Sequence, residues 1–111
     1  IAALYSNAIS HPAVRLPRQQ EGSGHVFHLY VVRCQARDAL RRHLADHGIG
    51  TQIHYPVPCH LQNAYKDPGM PAGSYPVAEQ CAAEVLSLPI YPELSDDEVR
   101  YVAETINQFQ D

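Results

Sequence analysis

The stretch His25-Val-Phe-His-Leu-Tyr-Val-Val-Arg33 decides the fold class of this chain. It is rich in β-branched and aromatic residues, which predicts a β-strand over residues 25–33. Both alternating faces of the strand are largely apolar, as is typical of a strand covered on two sides. Because a chain of this size has helices enough for only one side, we expect the second side to meet another domain or another part of a longer protein.

A helix and a short strand are predicted next along the chain. Residues 36–47 repeat Leu40 and Leu44 at helical spacing, and Gly48 suits the left-handed residue that ends a helix. Residues 51–55 read as a short apolar strand that stops at two prolines. Strand and helix therefore alternate from residue 25 onward.

The second half of the chain continues the alternation. A helix is predicted from Pro76, which suits a first turn, to about Leu86, with Val77, Cys81 and Val85 on one apolar face. Cys81 is then expected to be a small buried residue rather than a reactive thiol. Residues 87–92, which contain two prolines, are predicted to be extended at a sheet edge.

The last helix has the clearest start in the chain. Ser95 and Glu98 have the spacing of a capping box, and Leu94 and Val99 that of a hydrophobic staple. Its apolar face comprises Val99, Val102, Ala103, Ile106 and Phe109. The sequence thus predicts a two-layer α+β domain, with a short, mostly antiparallel sheet and helices on one face. We assign residues 1–24 to the tail of a preceding helix and a connector, and residues 25–111 to the domain itself.

Composition excludes several classes of function. The net charge is −4 and the arginines are scattered among acids, which argues against a nucleic-acid surface. No apolar run approaches a membrane span, and the three widely spaced cysteines favour a reducing cytoplasm over a disulfide framework. The chain begins at Ile1 in what reads as the tail of a helix, so we expect it to be a piece of a longer protein.

The loop after the second predicted strand, Thr51-Gln-Ile-His-Tyr-Pro-Val-Pro-Cys-His60, holds the candidate binding residues. Pro56 and Pro58 stiffen it, and it presents His54, Tyr55 and His60 close together. A rigid loop with imidazole and phenol groups can bind a polar ligand at little ordering cost. The alternative is a turn whose histidines face water, and the residues alone leave both open.

Other motifs point to no self-contained catalytic set. The glycines before the first strand do not form a phosphate loop, which must follow a strand and open a helix. His43 and His47 have a metal-binding spacing but lack the glutamate of a zinc-protease helix, and His47 also suits a helix C-terminus. Cys59 and His60 are adjacent, so their side chains point apart. We therefore predict no catalytic residue and no metal site.

Taken together and in order, several motifs resemble the C-terminal small domain of the DegT/DnrJ/StrS-type sugar aminotransferases. The resemblance spans about residues 20–110. Its motifs are His25-Val-Phe-His-Leu-Tyr-Val-Val-Arg33, Arg37-Asp-Ala-Leu40, Gly48-Ile-Gly-Thr51, His54-Tyr-Pro-x-Pro-x-His60, Leu61-Gln62, Tyr65, Pro76-Val-Ala-Glu79 and Leu86-Ser-Leu-Pro-x-Tyr-Pro92.

The resemblance implies the C-terminal domain of an aspartate-aminotransferase-type fold, in an enzyme that uses pyridoxal phosphate and is usually a homodimer. Such enzymes transfer an amino group, commonly from glutamate, to a keto-sugar carried on a nucleotide. The large domain supplies the Schiff-base lysine and binds most of the cofactor; Lys66, the only lysine here, does not match that position.

For this chain's own residues, the resemblance implies that His54 and Tyr55 face the sugar nucleotide. His60 closes the same loop, either as a ligand contact or only as a brace of the turn. The resemblance also implies that Val26, Tyr30 and Val32 pack on the large domain.

We therefore expect a fragment of a cytoplasmic sugar aminotransferase that cannot transaminate alone. A sugar dehydratase of the same family is one alternative, and it differs at a residue outside this chain. A non-catalytic ligand-binding or regulatory α+β module is the other. Such a module would leave no apolar sheet face bare, whereas a fragment would.

Overall fold

The computed structural model describes residues 1–65 and 69–110. Its regular elements are α1 (Ala2–Ala8), β1 (Tyr30–Arg33), α2 (Arg37–Asp46), α3 (Pro76–Glu84), β2 (Val85–Leu88) and α4 (Asp96–Asn107). Two single 3₁₀ turns, Cys59–Leu61 and Asn63–Tyr65, lie between α2 and α3. This is the small α+β arrangement that the sequence predicts.

The sheet is short and antiparallel, as predicted. β1 pairs with β2, with Tyr30 opposite Leu88 and Arg33 opposite Val85. One isolated antiparallel bridge extends each edge of the pair: Arg15 bonds to Arg33, and Gln52 bonds to Ser87. Among the described residues, four segments thus take part in the sheet, although only two of them are long enough to be strands.

The first strand is shorter than the prediction, because residues 25–29 turn away from the sheet. The His25 ring accepts a hydrogen bond from the backbone N–H of Phe27 through Nδ1 (2.8 Å), and the two rings stack with centroids 4.1 Å apart. Phe27 has a φ of 49°, which no strand residue adopts. Local ring and backbone contacts therefore replace ladder bonds in this segment.

The core lies between one face of the sheet and the helices α1, α2 and α4. Tyr30 and Val32 project into it and are fully buried. The expectation that they pack on another domain is therefore wrong, since their own chain already covers them. Val26, expected to be on the same face, is almost fully exposed because it lies in the turn before β1. The opposite face of β1, with Val31 and Arg33, is only half-buried.

The N-terminal residues belong to the same core. The Tyr5 side chain is fully buried, and its ring lies 5.0 Å from that of Tyr30. Its hydroxyl donates to the carbonyl of Pro89 (2.9 Å). Asn107 in α4 donates to the carbonyl of Ala8 and accepts from the backbone of Ser10 (2.9 and 2.8 Å). The end of α1 is thereby tied to the end of α4, while the division at residue 24 stays a prediction.

The predicted end of α2 and the predicted start of α4 are confirmed. Gly48 follows α2 with a φ of 76°, the left-handed conformation that favours glycine. At the start of α4, the Ser95 hydroxyl accepts from the backbone of Glu98, and the Glu98 carboxylate accepts from the backbone of Ser95. The predicted apolar face of α4 is buried in the core, and the staple residues Leu94 and Val99 are buried with it.

Two other predictions are corrected. Residues 51–55 form no strand, since only Gln52 pairs with the sheet before the prolines end it. The helix predicted to reach Leu86 ends at Glu84, and the chain passes directly into β2, so the predicted third strand begins earlier. Val77 is exposed, and Cys81 and Val85 are only half-buried, because this face of α3 points away from the core.

Candidate functional site

A groove of about 640 Å³ lies between α3 and the proline-stiffened loop. All three predicted binding residues, His54, Tyr55 and His60, line it. The remaining lining residues of the described chain are Val57, Pro58, Cys59, Gln62, Tyr65, Met70, Tyr75, Ala78, Cys81, Ala82 and Val85. The structure therefore brings the predicted residues together against a surface that the sequence pattern did not indicate.

His54 and Tyr55 form one end of the groove. The His54 Nδ1 atom lies 2.9 Å from the hydroxyl of Ser87, a buried residue of β2. The Tyr55 ring meets the His54 ring edge-on with centroids 5.6 Å apart, and the peptide bond between the two residues is cis. Tyr55 itself is 73% exposed. One imidazole is thus oriented by the sheet, while the neighbouring phenol extends toward solvent.

His60 forms the wall beside the start of α3. Its side chain is only 7% exposed, and its Nε2 atom lies 3.0 Å from a carboxylate oxygen of Glu79. The Tyr75 ring packs edge-on against it, with centroids 4.8 Å apart. His60 is therefore held on both sides, by a hydrogen bond to a carboxylate and by an aromatic contact.

Glu79 stays ionised through its hydrogen bonds. Burial works to raise the pKa of the carboxyl, but bonds from the backbone of Gly73, the ring of His60 and the backbone of Tyr75 together hold the pKa below its ordinary value. The Gly73 N–H lies 2.8 and 3.0 Å from the two carboxylate oxygens. The ionised carboxylate of Glu79 is thus held in a fixed position behind the part of the groove wall that His60 forms.

The groove floor is the apolar face of α3. Ala78, Cys81 and Ala82 of α3 follow the spacing of one helical stripe, and they line the groove together with Val85, where β2 begins. None of the described lining residues is Lys, Arg, Asp or Glu. A ligand here would meet hydrogen-bonding rings at the sides and apolar and aromatic surface below.

The groove does not by itself fit pyridoxal phosphate. That cofactor needs a lysine for its Schiff base, an acid for its ring nitrogen and donors for its phosphate. The chain's only lysine, Lys66, lies outside the described residues, and the described lining residues carry no guanidinium or carboxylate. These residues therefore support no reaction step through the cofactor.

The other histidine pair serves the fold. His43 Nε2 lies 2.9 Å from the carbonyl of Thr105, and His47 Nδ1 lies 2.8 Å from the carbonyl of His43. Within residues 1–65 and 69–110, no group of three or more His, Cys, Asp or Glu side chains could hold a metal ion. Over the same ranges, none of the helices is long and apolar enough to cross a membrane.

Sequence reasoning missed the residues that orient the site. Ser87 and Glu79 hold His54 and His60, yet each is distant from its partner in sequence. Both belong to motifs that carry the family resemblance, Leu-Ser-Leu-Pro and Pro-Val-Ala-Glu. These motifs were the signal in the sequence that could have pointed to them. The four-residue spacing of Cys81 and Val85 predicts a core face, whereas it marks the groove floor.

The fold and the groove define a class of domain. It is a small α+β domain that presents oriented histidine and tyrosine rings along a groove, and the described residues of that groove form no cofactor-binding site of their own. More specifically, this chain belongs to the DegT/DnrJ/EryC1/StrS aminotransferase family, whose family model matches residues 1–107.

Two relatives and one solved structure illustrate the similarity. The chain is 50% identical over 95 residues to the erythromycin biosynthesis sensory transduction protein EryC1 of Saccharopolyspora erythraea, covering 86% of this chain and 26% of that protein. It is 43% identical over 109 residues to the dTDP-3-amino-3,6-dideoxy-alpha-D-galactopyranose transaminase of Aneurinibacillus thermoaerophilus, covering 98% and 30%. The crystal structure of S. venezuelae DesV in complex with a ketimine intermediate matches with a TM-score of 0.92 and 42% identity, covering 96% and 29%.

The chain spans less than a third of the length of each of these proteins. The match therefore identifies the family and the fold of this part.

Proposed function

We propose that this chain forms the substrate-side wall of a pyridoxal-phosphate-dependent aminotransferase that acts on a nucleotide-linked keto-sugar. The observation that carries the proposal is the convergence of His54, Tyr55 and His60 on one groove. The amino donor is an amino acid such as glutamate, and the complete enzyme works as a homodimer in the cytoplasm. The similarity to a dTDP-sugar transaminase supports the substrate class.

The chemistry of the groove suits such a ligand. A diphosphate requires hydrogen-bond donors and sugar hydroxyls can pair with donors or acceptors, and imidazole and phenol groups provide both kinds. The tyrosines at the groove edge, Tyr65 and Tyr75, offer flat apolar surface to a sugar or a base ring. In this proposal the three site residues bind and orient the ligand and take no part in bond making.

The cofactor is bound mainly by residues outside this chain. When bound, pyridoxal phosphate supplies the electron sink for transfer of the amino group. This chain's contribution is to hold the sugar nucleotide in place and to cover one side of it.

The test is the substitution His54→Ala in the complete enzyme. We expect the KM for the sugar nucleotide to rise by about tenfold, the effect of losing one oriented hydrogen bond to a charged or polar ligand. The KM for the amino donor and the cofactor absorbance should stay unchanged.

The matched control is His47→Ala, which removes an exposed imidazole that bonds only within its own helix. An unchanged KM for the sugar nucleotide in a folded His54→Ala enzyme would refute the proposal.

A further inference from the structure

One carboxylate joins two separate segments of the chain behind the groove. Glu79 accepts hydrogen bonds from the His60 ring (3.0 Å), from the backbone N–H of Gly73 (2.8 Å) and from that of Tyr75 (3.3 Å). These partners lie in a 3₁₀ turn and in the turn that leads from a left-handed glycine to the residue before α3. Glu79 is not among the groove's lining residues, whereas His60 and Tyr75 are.

Part of this arrangement is a helix cap. No side chain at Tyr75 caps the start of α3, and Pro76 has no N–H to satisfy. The Glu79 carboxylate accepts the Tyr75 N–H instead, so it stabilises the first turn. Capping, however, needs only the backbone partners. The bond to the buried His60 ring is an additional function of the same group.

The bond to His60 determines which ring nitrogen carries hydrogen. An ionised carboxylate can only accept hydrogen bonds, so Nε2 of His60 must be the donor. In the neutral ring, Nδ1 is then left as a hydrogen-bond acceptor. The orientation of the ring is fixed at the same time, because Tyr75 packs against it at 4.8 Å and is itself held by Glu79 through its backbone.

We infer that Glu79 is a positioning residue for substrate binding: it fixes the hydrogen-bonding form and the orientation of His60 and places Tyr75 beside it. The inference rests on the proposed function, because it gives His60 a ligand in the groove. It also gives His60 a role in ligand binding in addition to bracing the turn. In this role, the Nδ1 atom of His60 accepts a hydrogen bond from a hydroxyl group of the ligand. Glu79 itself touches no ligand.

The first experiment reads the ring directly, by ¹⁵N and ¹³C NMR of histidine-labelled chain at a pH where the imidazole is neutral. The wild-type chain should show His60 with hydrogen on Nε2, and Glu79→Ala should lose this preference. Glu79→Gln should retain it, because the amide oxygen can still accept. Glu104→Ala, an exposed glutamate of α4, is the matched control and should leave the His60 signals unchanged. A wild-type ring with hydrogen on Nδ1 would overturn the inference without recourse to any variant.

The second experiment measures kinetics in the complete enzyme. Glu79→Ala should raise the KM for the sugar nucleotide about tenfold and leave the KM for the amino donor unchanged, with most of the loss recovered in Glu79→Gln. Loss of the Nε2–H form with no change in KM would overturn the positioning role.

His54→Ala separates the two proposals. If it raises the KM while Glu79→Ala does not, the inference about Glu79 fails and the proposed function stands. If His54→Ala leaves the KM unchanged, the proposed function fails, and the role of Glu79 toward a sugar ligand fails with it.

Discussion

The core around α4 and the groove beside α3 are built by different interactions. In the core, Tyr30, Leu40 and Ile106 are fully buried, and packing holds the elements together. At the groove, side-chain hydrogen bonds to Ser87 and Glu79 hold the rings, while Tyr55 and Tyr65 stay exposed. Packing therefore sets the stability of this domain, whereas polar contacts set the positions of the site residues.

The two helices show the same contrast. α4 buries a continuous apolar face and begins with a complete capping box. α3 turns its apolar stripe toward the groove and begins at a carboxylate that also serves His60. A helix whose apolar face is left open is free to form a binding surface, because that face is not needed for the core.

The strongest test of this contrast removes one β-branched side chain from each of the two helices. Ile106→Ala deletes fully buried atoms of α4 and should lower the free energy of unfolding by about 2–5 kcal/mol. Val77→Ala, on the exposed surface of α3, should change it by less than about 0.5 kcal/mol. Urea unfolding of both variants measures the difference, and equal losses would show that α3 is as much a part of the core as α4.

An intermediate loss of stability is expected when the capping box is removed. Ser95→Ala removes the hydroxyl that accepts from the Glu98 backbone and should cost about 1 kcal/mol. Ser10→Ala is the control, because this exposed serine takes part in the fold through its backbone. Thermal unfolding is the measurement. A Ser95→Ala protein as stable as the Ser10→Ala control would mean that packing alone defines the start of α4.

The smallest predicted effect is the loss of stability at acidic pH that Glu79 contributes. Its pKa is lower in the folded chain than its ordinary value of 4.5, so folding favours the ionised form. The contribution to stability is therefore present above about pH 4.5 and is lost as the pH falls through the lower folded pKa.

The Tm difference between wild type and Glu79→Gln should accordingly be present at pH 7 and shrink below pH 4.5. It should stay small, because the Glu79 side chain is partly exposed to solvent. Glu104→Gln, at an exposed position of α4, is the control for removing a surface carboxylate. A Tm difference that grows on acidification would contradict a lowered pKa of Glu79 in the folded chain.

Sequence patterns predicted the elements best where local chemistry and burial agree. The capping box of α4, the glycine after α2 and Pro76 at the start of α3 each act within one turn of chain, and all three are confirmed. The first strand was overextended, because the contact between His25 and Phe27 favours a turn that a β-branched composition does not reveal.

The predictions of which side chains face the core were less successful. Alternation correctly separates two sides over β1, but it cannot tell which side meets the protein's own helices. Tyr30 and Val32 were expected to pack on another domain, but both are buried within their own chain, and the Tyr5 ring of the N-terminal helix packs against that of Tyr30. For the same reason, the apolar face of α3 that lines the groove was predicted to face the core.

By itself, the sequence determined the α+β class, the antiparallel sheet, the end of α2, the starts of α3 and α4 and the loop that carries His54, Tyr55 and His60, because these depend on backbone preferences and spacing over a few residues. Only the tertiary structure decided that this loop meets α3 in a groove, that Ser87 orients one imidazole and that Glu79 orients the other. The physical reason is distance along the chain: 33 residues separate His54 from Ser87 and 19 separate His60 from Glu79, so no local preference encodes either pair.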